Sequence, residues 1–196
     1  MLQIRHYLLR MAAAALPGVL LWALFRPWRQ GRRRAKGLHP GPYREGALLL
    51  FDIFLTGLLV LVLTPPAGWV YSGPFQGTVN LVPIRESVRL FSFYFKHGMW
   101  TAIWVNFPGN ILMFMPIGFF AGLLSDRPRW WKGTLWTFAL SLLIETAQLF
   151  VCRGTDVDDL ILNTLGGLLG YGCFCLLRRL SPKFVRQCAK TQKGSG

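Results

Sequence analysis

Apolar residues in this chain run in long stretches rather than in alternation. Five stretches reach or approach the length that a hydrocarbon core of roughly 30 Å requires: about 7–25, 46–63, 103–124, 133–151 and 157–177. A sixth segment, NLVPIRESVRLFSFYF at 80–95, has another character. There Val88, Phe91 and Phe95 share a helical face while Arg85, Glu86 and Arg89 lie elsewhere, the pattern of a helix lying in a membrane surface. Thr64-Pro65-Pro66 stops the helix before it. The pattern predicts an all-α, polytopic membrane helical bundle: about five transmembrane helices plus one extracytoplasmic interfacial helix. The first stretch contains Arg10 and Pro17 and could be a signal peptide, but an Arg-rich run follows it where a small-residue cleavage site would stand.

Composition strengthens the membrane reading. The chain is 53% hydrophobic and 15% charged, with 15 Phe and 8 Trp, more apolar surface than one soluble core of 196 residues can hide. A net charge of +14 would fit nucleic acid, yet the basic residues cluster in alternate loops. If Arg26 to Arg44, Arg127 to Lys132 and Arg178 to Lys193 face the cytoplasm, only six of 22 basic residues (Arg5, Arg10, Arg85, Arg89, Lys96 and Arg153) lie outside. That asymmetry places the amino terminus outside and the carboxyl terminus inside, and makes the basic runs topology signals and contacts for anionic lipid. No nucleic-acid role is expected. The organisation expected is a first span and basic loop (1–45), a membrane domain (46–177) and a basic cytoplasmic tail (178–196), whose final Lys-Gly-Ser-Gly looks like an expression remnant. Cys152, Cys173, Cys175 and Cys188 lie in different compartments and are expected to be free thiols.

The candidate chemistry is polar sequence where lipid-facing sequence would be apolar. Asn110 begins the third span, Glu145 and Gln148 end the fourth, Arg153, Asp156 and Asp158 occupy the turn, and Asp159 and Asn163 begin the fifth. Ionisable groups inside a span are costly, roughly 2.5–3.5 kcal/mol each at the centre, and so mark function by default. Glu145 and Gln148 at i,i+3, and Asp159 and Asn163 at i,i+4, are each expected to share a helix face. Gly166 and Gly170 form a small-xxx-small pattern that admits another helix. Asp-rich sequence at the start of a helix also suits capping. Beyond capping, Glu145, Asp156, Asp158 and Asp159 are the oxygen ligands that Mg²⁺ or Ca²⁺ prefer, and Arg153 suits phosphate or carboxylate. Asp52, isolated in the second span, is expected to pair with a basic loop residue or a polar group across the bundle. His6, His39 and His97 are scattered, and no nucleophile motif, P-loop or dinucleotide fingerprint occurs.

NLVPIR (80–85), NILMFMPIGF (110–119) and the series Glu145, Gln148, Arg153, Asp158-Asp159, Asn163 and Gly167 to Gly170 resemble the VanZ-like family of small bacterial membrane proteins, over about residues 46–177. Ile84 stands where many relatives carry an aromatic residue. The resemblance implies a multi-pass protein of the bacterial cytoplasmic membrane associated with resistance to teicoplanin-type glycopeptides. Glycopeptides act outside that membrane, where the charge pattern places the polar cluster. The expected function is an extracytoplasmic-facing site that engages the anionic head group of a lipid or lipid-linked cell-wall precursor, or the drug itself. Two other readings use the same residues: a membrane enzyme acting on a lipid phosphate, with a carboxylate as general base, and a non-catalytic structural or partner-binding protein.

Overall fold

The computed structural model describes residues 2–35, 38–64, 79–150, 155–189 and 191–193. The elements are α1 (Leu2–Arg34), β1 (Leu38–Pro40), α2 (Pro42–Leu63), β2 (Val79–Asn80), α3 (Arg85–Lys96), α4 (Trp100–Asn106), α5 (Pro108–Leu123), α6 (Trp130–Gln148), β3 (Thr155–Asp156), α7 (Val157–Leu180), α8 (Pro182–Ala189) and β4 (Thr191–Lys193). Three helical stretches are long and apolar enough to cross a membrane: Pro42–Leu63, Trp100–Leu123 and Val157–Leu180.

Several boundaries differ from expectation for local reasons. The first helix does not end at 25 but continues through Pro27 and Gly31 to Arg34; the Arg and Gln residues that predominate there are good helix formers. The stretch expected at 103–124 is two helices that meet at Phe107, since Pro108 disfavours helical geometry in the residue before it. The interfacial helix begins at Arg85 rather than 80, behind Pro83 and a left-handed Ile84 (φ 67°). None of its residues is buried, and Val88, Phe91 and Phe95 stay exposed. Phe91 meets Phe107 edge-on at 5.8 Å, and Phe95 meets Trp100 at 5.4 Å, which fastens α3 to α4. The carboxyl-terminal region is more ordered than a tail. Residues 178–180 finish α7, α8 packs back on the bundle, and Lys193 pairs antiparallel with Leu38.

The bundle carries apolar residues outward and polar residues inward. Leu50, Leu112, Trp136, Leu143 and Leu176 are exposed, whereas Thr137, Ser141, Glu145 and Asn163 are buried. Water would penalise that distribution, and lipid favours it. Leu58, Val62, Phe114, Ile117 and Ile144 form one core cluster, and Ala47, Leu123, Phe174, Val185 and Cys188 form the other. Between them α5 and α7 touch backbone to backbone. A Cβ on Gly166 would strike the Ile111 carbonyl, one on Gly170 the Met115 carbonyl, and one on Gly118 the backbone of Gly167. Small residues thus permit the most extensive helix contact among the described residues.

Antiparallel connections send Glu145, Asp156, Asp158 and Asp159 to one end and most of the arginines, with Glu45, Asp52 and Asp126 among them, to the other. At the basic end Arg29 Nη1 donates to Asp52 Oδ2 at 3.2 Å, the pairing expected of Asp52. Buried Arg44 donates to the carbonyls of Cys188 (3.1 Å), Ala189 (3.4 Å) and Leu124 (2.7 Å), joining the start of α2 to the ends of α5 and α8. Those carbonyls lack helical partners and carry the negative ends of two helix dipoles, which favours a guanidinium there.

Candidate functional site

The acidic end is assembled around the turn between α6 and α7. Glu145 is 4% exposed. Its Oε2 accepts from the Asp156 amide at 3.2 Å, and its carbonyl accepts from Thr155 Oγ1 at 2.8 Å, so β3 is stitched to the end of α6. Asp156 Oδ1 accepts from the Asp158 amide at 2.9 Å and thereby caps α7. The same oxygen accepts from Asn80 Nδ2 at 3.1 Å, next to the parallel pairing of Val79 with Thr155 and Asn80 with Asp156.

Asp158 serves a different helix. Its Oδ1 accepts from the Ile84 amide at 2.6 Å and its Oδ2 from the Ser87 amide at 3.2 Å, so a carboxylate from α7 holds the positive end of α3. A left-handed Ile costs on the order of 1–3 kcal/mol, and this charged acceptor offsets it.

Asp159 Oδ1 accepts from Asn110 Nδ2 at 2.6 Å, across α7 to α5. Asn163 Nδ2 donates to Ser141 Oγ at 2.9 Å, across α7 to α6, while its buried Oδ1 has no partner among the described residues. Gln148 Nε2 donates to the Val62 carbonyl at 3.1 Å. The pairs expected to share a face therefore diverge: Glu145 turns to β3 and Gln148 to α2, Asp159 to α5 and Asn163 to α6. A separation of three or four residues leaves neighbours offset around the helix, and a tightly packed helix meets a different neighbour on each side of that offset.

Three of the expected residues, Asn110, Gln148 and Asp159, wall a cavity of about 920 Å³ between α2, α4 and α5 and the facing ends of α6 and α7. Leu61, Val62, Met99, Trp100, Trp104 and Met113 form its apolar wall, with Thr101 and Asn106 as further polar groups. Glu145, Asp156 and Asp158 are not among its lining residues, and neither is Asn163. Arg153 and Cys152 lie outside the described residues; Cys173, Cys175 and Cys188 are free. Of the carboxylates expected to hold Mg²⁺ or Ca²⁺, Asp156 and Asp158 spend oxygens on helix caps. Among the described residues no group of three or more His, Cys, Asp or Glu side chains is arranged to hold a metal ion.

Asn80, Ser141 and Thr155 complete the hydrogen-bonding of the site and were not singled out from sequence. Asn80 opens NLVPIR, so its motif was visible and its partner was not. Ser141 lies four residues before Glu145, on the same stripe of α6, and that spacing could have found it.

Apolar exterior, polar interior and a cavity at one end define a helical membrane protein with a polar corner at an amphipathic opening. The chain belongs to the VanZ/LLP1 family, whose model matches residues 14–178. No curated protein and no solved structure matches it.

Proposed function

We propose that this VanZ-like protein contributes to glycopeptide resistance of the teicoplanin type by binding an amphipathic ligand, a lipid or lipid-linked cell-wall precursor, in the cavity at the acidic end. The cavity wall carries the reading. One side is aromatic and aliphatic, suited to acyl or prenyl chain, and the other presents Asn110, Gln148 and Asp159, suited to a head group. Asp159 repels a bare anion, so head-group hydroxyl or amide N–H donors meet Asp159 and the amide oxygens, and Arg153 from the adjoining turn takes phosphate or carboxylate. Glu145 and Asn163 hold α6, β3 and α7 in place behind the wall.

The test is binding of lipid-linked precursor to purified protein, with Asp159→Asn as the variant. Loss of one charged acceptor should lower affinity about tenfold or more. Asp159→Asn and Arg153→Ala should abolish resistance at unchanged membrane abundance, whereas Glu145→Ala, which removes the acceptor of the Asp156 amide, should lower abundance. Disappearance of the first two variants from the membrane would instead make the cluster a structural network.

The same reading has five spans, with α1 and α6 crossing beside the three apolar stretches, the amino terminus outside and the carboxyl terminus inside. It rests on the basic residues at one end and the acidic turn at the other. An impermeant thiol reagent should therefore label Cys152 in intact cells. Labelling only after the inner face is opened would invert the topology and put the cavity on the wrong side for this role.

A further inference from the structure

A second cavity, of about 450 Å³, lies at the basic end between α1 and α2, lined by Trp22, Arg26, Gln30, Pro42, Glu45, Gly46 and Leu49. Two of its lining residues carry buried polar atoms that lack hydrogen-bond partners among the described residues. Trp22 Nε1 is a donor without an acceptor, and Glu45 Oε2 is an acceptor without a donor. The group nearest that oxygen in charge terms is Arg26 Nε, an ion pair at 3.5 Å. Arg26 lies over the Trp22 ring at 4.9 Å with its side chain half exposed, so its guanidinium has donors to spare. The first turn of α2 opens here as well, and its N-cap, Gly41, supplies no side-chain cap. Helix starts of that kind favour negative charge.

We infer that this cavity binds the zwitterionic head group of an amino-phospholipid. The phosphate sits on the Arg26 guanidinium and the Trp22 indole N–H, with the Gln30 amide beside them, and the primary ammonium donates to Glu45 Oε2. One cation and one carboxylate make the lining neutral overall, which matches a zwitterion better than an anionic lipid. An ammonium bearing N–H bonds satisfies the unpaired oxygen, whereas a trimethylated one has no proton to give. Leu49 beside the head group and exposed Leu50 on the next position of α2 offer the acyl chains an apolar path. This site is independent of the cavity at the acidic end.

Native mass spectrometry of the full chain, released from vesicles of equal phosphatidylethanolamine, phosphatidylcholine and phosphatidylglycerol, tests it. Ethanolamine lipid should be retained at least fivefold over each of the others. Glu45→Gln should remove the preference over choline lipid, Trp22→Phe should weaken retention of both, and Gly172→Ala, where nothing stands within 4 Å of the added carbon, should change neither. If Glu45→Gln does not fold, Arg26→Gln, at a half-exposed position, carries the test by losing ethanolamine-lipid retention. Equal retention of all three lipids, a glycerol-lipid preference, or a preference that survives these variants overturns the inference. So does equal thermal protection by free phosphoethanolamine, which would assign the cavity to a soluble phosphate ester.

Discussion

Gly170→Leu should leave almost no folded protein in the membrane, and Gly166→Leu little more. At both positions the added carbon meets a backbone carbonyl of α5, which cannot swing aside as a side chain can. Overpacking a core usually costs about 1–3 kcal/mol, and here the cost should reach or exceed the top of that range, because relief requires the two helices to separate along their whole contact. Gly172→Leu is the matched control, since nothing stands within 4 Å of its Cβ position. Membrane abundance and detergent melting temperature measure the contrast. Equal values for Gly170→Leu and Gly172→Leu would show that α5 and α7 are not in backbone contact.

Asp158→Ala should free α3 while leaving the rest of the bundle folded. Two amides of the first turn of α3 lose a charged acceptor at once, worth roughly 3 kcal/mol or more together, and left-handed Ile84 loses what holds it. Because α3 buries none of its residues, it has little else to retain it. Amides of residues 85–96 should exchange about a hundredfold faster in hydrogen–deuterium exchange, and Asp158→Asn, which keeps one acceptor oxygen, should fall between. Binding at the acidic-end cavity should weaken as well, although Asp158 does not line it, because α3 is fastened to α4 through Phe91, Phe95 and Trp100. Unchanged protection of α3 in Asp158→Ala would remove this account of the residue.

What the sequence made legible was the length of its apolar runs and the oddity of polar residues at their ends. The helices α2, α6 and α7 lie within a few residues of the stretches expected, since each is bounded by Pro, Gly or charge. The helical face of Val88, Phe91 and Phe95 was visible from periodicity alone. Glu145, Asp159 and Asn163 stood out because lipid makes them costly. Their partners did not, because partnership is long-range: Asn80 meets Asp156 across 76 residues and Asn110 meets Asp159 across 49. Spacing along one helix predicted shared faces, but in this tight bundle adjacent positions turn to different helices. Nor did the sequence show which carboxylate oxygens amides take: Asp158 meets the Ile84 amide across 74 residues. The α1 boundary was missed because Pro27, Gly31 and the charge of the run read as loop, while the Arg and Gln that predominate in it are good helix formers.

The Arg44 clasp bears on the order in which the protein is made. Its guanidinium belongs to the second helix synthesised, yet it bonds carbonyls at 124, 188 and 189, across as many as 145 residues. During translation Arg44 therefore meets the Leu124 carbonyl once α5 is made, and the other two carbonyls only after α8 has followed. Without α8 two of the three carbonyl bonds would be unmade and the apolar seat of Val185 and Cys188 uncovered. The clasp thus closes in two stages, first on α5 and then on α8, and its second stage is a late step of assembly.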